Sequence, residues 1–289
     1  MAAKIDESLR QRILQFITEA LAEDVGAGDF TSEATIPVDK RDTARLLVKD
    51  VGILAGVEVA RLIFKAVDPT AQFEQRMQDG DAMHVGDIAF LVTCNSRALL
   101  QAERLVLNTM QRMSGIATLA NRYAFEVEDL PVKVLDTRKT TPNLRFLEKW
   151  AVRLGGAENY RDGLYDRIMI KDNHIDAAGS LTQAIEGVQA FFRENEMQLP
   201  ITVEVRNLVE LMEVLEIGQV DRIMLDNFEV PLLREAVAHV GGQYETEASG
   251  GITLDSIREV AETGVDYISV GALTHSAVSL DLSLKVVKD

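Results

Sequence analysis

Cations grouped within an acidic chain, acids set between them and glycine loops are the features of this sequence that can do chemistry. Arg138 and Lys139 occur in Asp136-Thr137-Arg138-Lys139, Lys171 opens Lys171-Asp172-Asn173-His174, and Arg161 lies in the loop before it. Guanidinium forks match carboxylate and phosphate geometry, and lysine supplies a mobile point charge. Any one of these cations can equally pair with a nearby acid, but as a set they predict a substrate with two or more negative groups. Glu204 and Asp226 offer oxygens that suit Mg²⁺ when a polyphosphate completes the coordination. They can also stabilise positive charge on a sugar carbon, or pair with Lys139 or Lys171. Ser249-Gly250-Gly251, ahead of a helix expected from Thr253, lets backbone N–H groups approach an anion at a helix N-terminus. Gly271-Ala272 would complete a phosphate cup. His174 is expected to make structural hydrogen bonds.

These residues converge only if the elements carrying them do. From Pro131 onward, short β-branched or apolar runs recur: Val132–Leu135, Arg167–Ile170, Ile201–Val205, Arg222–Leu225, Tyr244–Ala248 and Tyr267–Val270. Helical segments separate them: Leu181–Glu194, Leu208–Ile217, Pro231–Val240 and Leu254–Thr263. Strands alternating with helices imply a parallel sheet, and six or more such units suggest a closed barrel. A doubly wound open sheet is the alternative, weakened because no GxGxxG follows the first strand. In a barrel, chemistry collects at the C-terminal strand ends, where all of these residues except Arg161 fall.

The first part of the chain has a different pattern. Ile5, Leu9, Ile13, Phe16, Ile17, Ala20 and Leu21 recur at helical spacing. Strand-like runs at Arg45–Val48 and Ile88–Val92 flank a helix over Gly56–Val67, implying a small domain with an antiparallel sheet. A long helix is expected from Ser96 as N-cap to Met113, stopping before Gly115. Its polar side carries Arg97, Gln101, Arg104, Asn108 and Arg112. Arg97 fits a solvated face, whereas Arg104 and Arg112 are open to other roles. Alternating Leu280, Leu282, Leu284 and Val286 predict a final strand able to return to the first sheet.

Composition sets the outer bounds. The 289 residues carry a net charge of −16, with a pI near 4.7, which argues against nucleic acid or an anionic membrane as partner. No apolar run approaches the roughly 18 residues of a membrane span. The N-terminal stretch lacks the apolar core of a signal peptide. The single cysteine, Cys94, sits in an apolar run and suits a buried, inert thiol in a reducing compartment. A cytoplasmic protein is expected.

The sequence also resembles the quinolinate phosphoribosyltransferase family. The stretches Leu135-Asp-Thr-Arg-Lys-Thr-Thr-Pro142, Ile170-Lys-Asp-Asn-His174, Ile223-Met-Leu-Asp-Asn-Phe228 and Gly264 to Ser276 carry the resemblance, which covers nearly the whole chain. It implies an N-terminal α/β open sandwich, residues 1–118 joined by a C-terminal strand in 277–289, ahead of a seven-stranded TIM-like α/β barrel over 119–276. It implies homodimers with shared active sites and leaves higher assembly open. Substrates would be quinolinate and phosphoribosyl pyrophosphate, with Mg²⁺ as cofactor. Quinolinate would meet Arg138, Arg161 and Lys171, with Arg104 reaching in from the partner subunit. Lys139, Glu204 and Asp226 would handle the pyrophosphate and its magnesium. Ser249, Gly250, Gly251 and Gly271 would form the 5′-phosphate cup, with Thr137 and Tyr160 also in the substrate site. Lys139, Lys171, Glu204 and Asp226 are the catalytic candidates.

Three positions depart from the family pattern: Tyr160 where His is usual, Asn143 where Gly is usual, and Arg206 where a second acid is usual. Tyr160 can donate a hydrogen bond but carries no positive charge near neutral pH. Three other activities stay open at this stage. One is a lyase using Lys171 as a Schiff-base amine. The others are a relative acting on a different base and a non-catalytic binding protein.

Overall fold

The chain is described from a computed structural model, which covers residues 6–287. Ile5 lies outside the described residues. Two compact units emerge. The first comprises the residues up to Asn121, Phe146–Gly156 and those from Ala277, and the second comprises Arg122–Arg145 and Ala157–Ser276.

The first unit opens with α1 (Glu7–Val25), whose N-cap Asp6 accepts a 2.7 Å bond from the Leu9 amide. There follow α2 (Phe30–Thr35), β1 (Arg41–Val48), β2 (Gly52–Ile53), α3 (Val57–Val67), β3 (Gln72–Gln75), β4 (Ala82–Met83), β5 (Ile88–Asn95) and α4 (Ser96–Phe125). β5 pairs antiparallel with both β1 and β3. Ala44, Leu46 and Val48 of β1 turn inward at period two, and Ala44 and Leu46 lie opposite Val92 and Phe90. Phe64 of α3 packs edge-on against Phe90, with Phe73 beside them.

α4 departs from expectation at both ends. Its cap is Asn95, whose side-chain oxygen accepts from Arg97 N at 3.0 Å, while Ser96 donates its hydroxyl to Asp42. The helix runs straight through Gly115 to Phe125. A Cβ at Gly115 would fall 2.0 Å from the Val278 carbonyl oxygen, so this glycine marks a close chain approach and not a helix stop. Arg97 is not on a solvated face either: its guanidinium donates to the carbonyls of Ile36 and Glu33. Arg112 pairs at 2.8 Å with Glu148, which is 1% exposed.

The second unit carries β6 (Lys133–Leu135), β7 (Ile168–Ile170), α6 (Asp172–Ala178), α7 (Leu181–Asn195), β8 (Ile201–Val205), α8 (Leu208–Ile217), β9 (Arg222–Asp226), α9 (Val230–Val240), β10 (Glu245–Ser249), α10 (Ile257–Ala261), β11 (Tyr267–Ser269) and α11 (Ala272–His275). Between β6 and β7 runs α5 (Arg145–Leu154), most of which belongs to the first unit. α5, α6 and α11 add to the helices expected from sequence, and α10 is shorter than expected: Leu254–Ser256 form a turn, and only five residues are helical. The last strand, β12 (Leu282–Val286), pairs antiparallel with β1.

The parallel sheet has the order β6-β11-β10-β9-β8-β7. Successive strands add in one direction, and the first pairs with the last, so there is no reversal of the kind a doubly wound sheet needs. Leu135 of β6 also bridges in parallel to Glu158 on its other side. This arrangement fits a barrel-like domain.

One face of these strands carries a layer of charge. Arg222, 5% exposed, bonds Glu247 at 3.0 Å and Glu245 at 2.8 Å, and its guanidinium lies 3.6 Å from the Tyr267 ring centroid. Ser269 donates its hydroxyl to the fully buried Glu247, whose carboxyl burial pushes up. Tyr160 faces both Arg167 and Arg222 and donates its hydroxyl to Thr202 at 2.8 Å. Burial, with Glu247 nearby, pushes the Tyr160 phenol up to about 12.

These observations yield two stability predictions. Gly115→Ala gains about 1 kcal/mol of helix propensity but collides with the Val278 carbonyl, for a net loss of about 1–3 kcal/mol in urea unfolding. An unchanged midpoint would contradict the close approach. The Tyr160 phenol keeps its proton in both states below its ordinary value of 10.0, and in the folded state up to about 12. Its contribution is therefore complete below the lower value and lost as pH rises through the upper one. Wild type should lose up to about 2–3 kcal/mol relative to Tyr160→Phe across that window, measured by unfolding at about pH 9 and about pH 11.5. A constant difference would refute the assignment.

Candidate active site

Strand geometry collects the chemistry at one end of the parallel sheet. Successive strand residues face opposite sides, so Met169 and Lys171, Thr202 and Glu204, and Met224 and Asp226 share a face. Thr137, Arg138, Lys139, Tyr160, Arg161, Lys171, Glu204, Asp226, Ser249, Gly250, Gly251 and Gly271 all line one cavity of about 700 Å³. Every site residue expected from sequence lies there except Arg104, which is exposed on α4 and not part of the lining. Met169, Met224, Asn227, Ser269 and His275, not among the residues expected from sequence, line it too. The period-two pattern could have found Met169, Met224 and Ser269. Asn227 sits in a turn and His275 ends the short α11, and neither had such a signal.

The cations divide into two kinds. Lys171 holds Glu204 at 2.7 Å, and Glu204 is 9% exposed, so this pair is an internal salt bridge at the cavity wall. Arg138 and Arg161 have no carboxylate within ion-pair distance among the described residues. The Arg138 Nε is buried without a hydrogen-bond partner. Arg161 donates to the Arg167 carbonyl at 3.2 Å and lies 3.4 Å from the Met169 sulfur. Burial, and then the nearby Arg138, hold its guanidinium below the usual arginine range. Two under-neutralised guanidinium groups beside one cavity make an anion site.

The backbone beneath them is tied down. Asp136, fully buried, accepts from the Tyr160 amide at 2.8 Å, linking the two arginine-bearing segments. The Lys139 amide donates to Thr137 Oγ1 and the Lys139 carbonyl accepts from Thr274. A Cβ on Gly271 would fall 3.0 Å from Lys139 Cδ and 3.2 Å from His275 Nε2, so glycine there lets both side chains cross the turn. Gly250 and Gly251 adopt φ of +100° and +61°. α10 begins several residues further on, so the glycine loop itself, and not a helix N-terminus, lines the cavity.

His174 plays the structural part expected of it, accepting from the Lys171 amide at 3.0 Å through Nδ1. Asn143 has φ +63°, a left-handed conformation that asparagine tolerates nearly as glycine does. Arg206 is exposed and pairs with Glu210 on its own turn of chain.

Among the described residues, no group of three or more His, Cys, Asp or Glu side chains is arranged to hold a metal. Glu204 and Asp226 are the acids of the cavity, each with one oxygen already engaged, by Lys171 and Asn227 respectively. That donor set fits a cation shared with a ligand's phosphates and not one held by protein alone.

Two family models match, the quinolinate phosphoribosyl transferase N-terminal domain over residues 29–114 and its C-terminal domain over 116–285. The chain is 46% identical over 282 residues to quinolinate phosphoribosyltransferase [decarboxylating] 1b of Nicotiana tabacum, covering 92% of this chain and 80% of that one. It is 40% identical to the probable nicotinate-nucleotide pyrophosphorylase [carboxylating] of Bacillus subtilis, covering 95% and 93%. NadC from Streptococcus pyogenes superposes with a TM-score of 0.91 at 38% identity, covering 99% and 100%. Paired arginines, a glycine cup and full-length similarity agree: the chain belongs to the quinolinate phosphoribosyltransferase family.

Proposed function

We propose that this protein transfers the phosphoribosyl group of phosphoribosyl pyrophosphate to quinolinate with loss of CO₂, giving nicotinate mononucleotide and pyrophosphate. The observation that carries this reading is the pair Arg138 and Arg161, cationic and without protein carboxylates, in the same cavity as a glycine loop. A dicarboxylate and a phosphate are what such a cavity can hold together.

The two quinolinate carboxylates dock on Arg138, Arg161 and Lys171, which aim the ring nitrogen at the ribose anomeric carbon. Lys139 and the N–H groups of Ser249, Gly250, Gly251 and Gly271 hold the phosphates. A Mg²⁺ bound through Glu204, Asp226 and pyrophosphate oxygens would neutralise charge on the leaving group. As the carbon–oxygen bond to pyrophosphate breaks, positive charge grows on the sugar, and the carboxylates of Glu204 and Asp226 stabilise it. The new carbon–nitrogen bond makes the ring cationic. It then accepts the electron pair released when the adjacent carboxylate leaves as CO₂, and a proton takes that carboxylate's place.

On this reading the parallel sheet closes as a seven-stranded barrel over 119–276, with the segment at Glu158 as the remaining strand, and residues 1–118 with 277–289 form an open sandwich. The protein works as a homodimer in which Arg104 reaches the partner's cavity, an arrangement its exposure on α4 allows. A cytoplasmic location is supported by the net negative charge and by the fully buried Cys94, whose thiol burial pushes up to about 11. No helix among the described residues is long and apolar enough to cross a membrane. The Schiff-base alternative is disfavoured, because the Lys171 ammonium is held by Glu204 and not set in an apolar pocket.

Purified protein with quinolinate, phosphoribosyl pyrophosphate and Mg²⁺ should release CO₂ and nicotinate mononucleotide in equal amounts, and nicotinate should not replace quinolinate. Absence of turnover by folded protein would overturn the reading. Arg138→Met and Arg161→Met should each raise KM for quinolinate roughly 10- to 100-fold, the worth of one charge-assisted contact. KM for phosphoribosyl pyrophosphate should change little.

A further inference from the structure

We infer that Asn227 is a positioning residue that locks Asp226 to the phosphate-binding loop, so that the acid and the glycine cup form one unit. The inference rests on the reading above for the class of ligand, but its geometry stands separately. Asn227 follows Asp226 directly and takes φ +56°, a conformation costly for most L-residues. The other non-glycine residues with positive φ among those described are Asn143, Glu196 and Gln219, none of which lines the cavity. In this conformation the Asn227 side chain turns back, and Nδ2 donates to Asp226 Oδ2 at 2.7 Å. The Asn227 backbone amide donates to the Ser249 carbonyl at 2.8 Å, on the next strand of the sheet.

Gly250 completes the arrangement. A Cβ there would fall 2.1 Å from Asn227 Oδ1 and 2.9 Å from its backbone nitrogen. The amide therefore occupies the space that a side chain at position 250 would fill. Gly250 is glycine for two reasons that point the same way: its own φ of +100° and the Asn227 amide against its Cα. One end of that amide orients Asp226 and the other packs on the glycine loop that lines the cavity. A shift of either is transmitted to the other, because the contacts are too close to absorb it. Asn227 thus serves the phosphoribosyl side of the cavity and leaves the arginine side alone.

The discriminating variants are Asn227→Gly, which keeps the left-handed backbone without the amide, and Asn227→Asp, which keeps shape and backbone tolerance but turns the donor into an acceptor. Calorimetric binding of phosphoribosyl pyrophosphate with Mg²⁺ should weaken roughly 10- to 100-fold in Asn227→Gly, the usual cost of losing a supporting hydrogen bond to a ligating group. Quinolinate binding and thermal stability should stay near wild type. Asn227→Asp should be impaired as well, because a carboxylate in place of the amide cannot donate to Asp226. Wild-type affinity in Asn227→Gly would overturn the inference, as would equal loss for both substrates together with a lowered Tm. Binding of phosphoribosyl pyrophosphate without turnover by the wild-type chain would count against the proposed reaction while leaving this test intact. A wild-type chain that does not bind phosphoribosyl pyrophosphate would overturn both.

Discussion

Arg138 and Arg161 sit near enough to repel each other, and the surrounding protein does not cancel their charge. In a chain with 46 acids against 30 lysines and arginines, leaving two half-buried guanidinium groups without a carboxylate costs folding free energy. The cost is offset by structure elsewhere: the Asp136 carboxylate anchors the Tyr160 backbone, and carbonyl and sulfur acceptors hold Arg161 in place. An anionic ligand relieves what the fold leaves unbalanced. Because the groups are already oriented and partly desolvated, little of the attraction is spent on rearrangement.

The same parallel strands support this site with a second, fully compensated layer of charge. Arg222 lies between Glu245 and Glu247 and against Tyr267, and Tyr160 packs beside it. Here each polar atom meets a partner, and the layer is rigid for that reason. Tyr160 belongs to both layers. Its backbone and its neighbour Arg161 serve the cavity, while its hydroxyl is committed to Thr202. A neutral phenol thus fills space beside Arg167 and Arg222 that a charged group would complicate.

Close chain approaches account for the glycines that matter most. Gly115 admits the Val278 carbonyl and Gly250 admits the Asn227 amide. In each case the missing Cβ is occupied by another segment distant in sequence or on a neighbouring strand. Such a glycine looks like a terminator or a flexible turn when only its own neighbours are considered. Its real constraint is the atom that takes its side chain's place.

The sequence by itself determined the alternation of strand and helix from Pro131 onward and the strand ends on which Arg138, Lys171, Glu204, Asp226 and Ser249 fall. Periodicity and charge are local properties, so they survive in one dimension, and the motifs at those strand ends were specific enough to indicate the family. Tertiary structure decided the rest. It carried α4 through Gly115 and turned Arg97 onto backbone carbonyls, because each outcome depends on a partner far away in the chain. It also decided which cations are neutralised. Lys171 and Arg161 look alike as residues, yet one meets Glu204 across the sheet and the other meets only neutral acceptors. Charge pairing depends on distance in space, which sequence spacing does not contain.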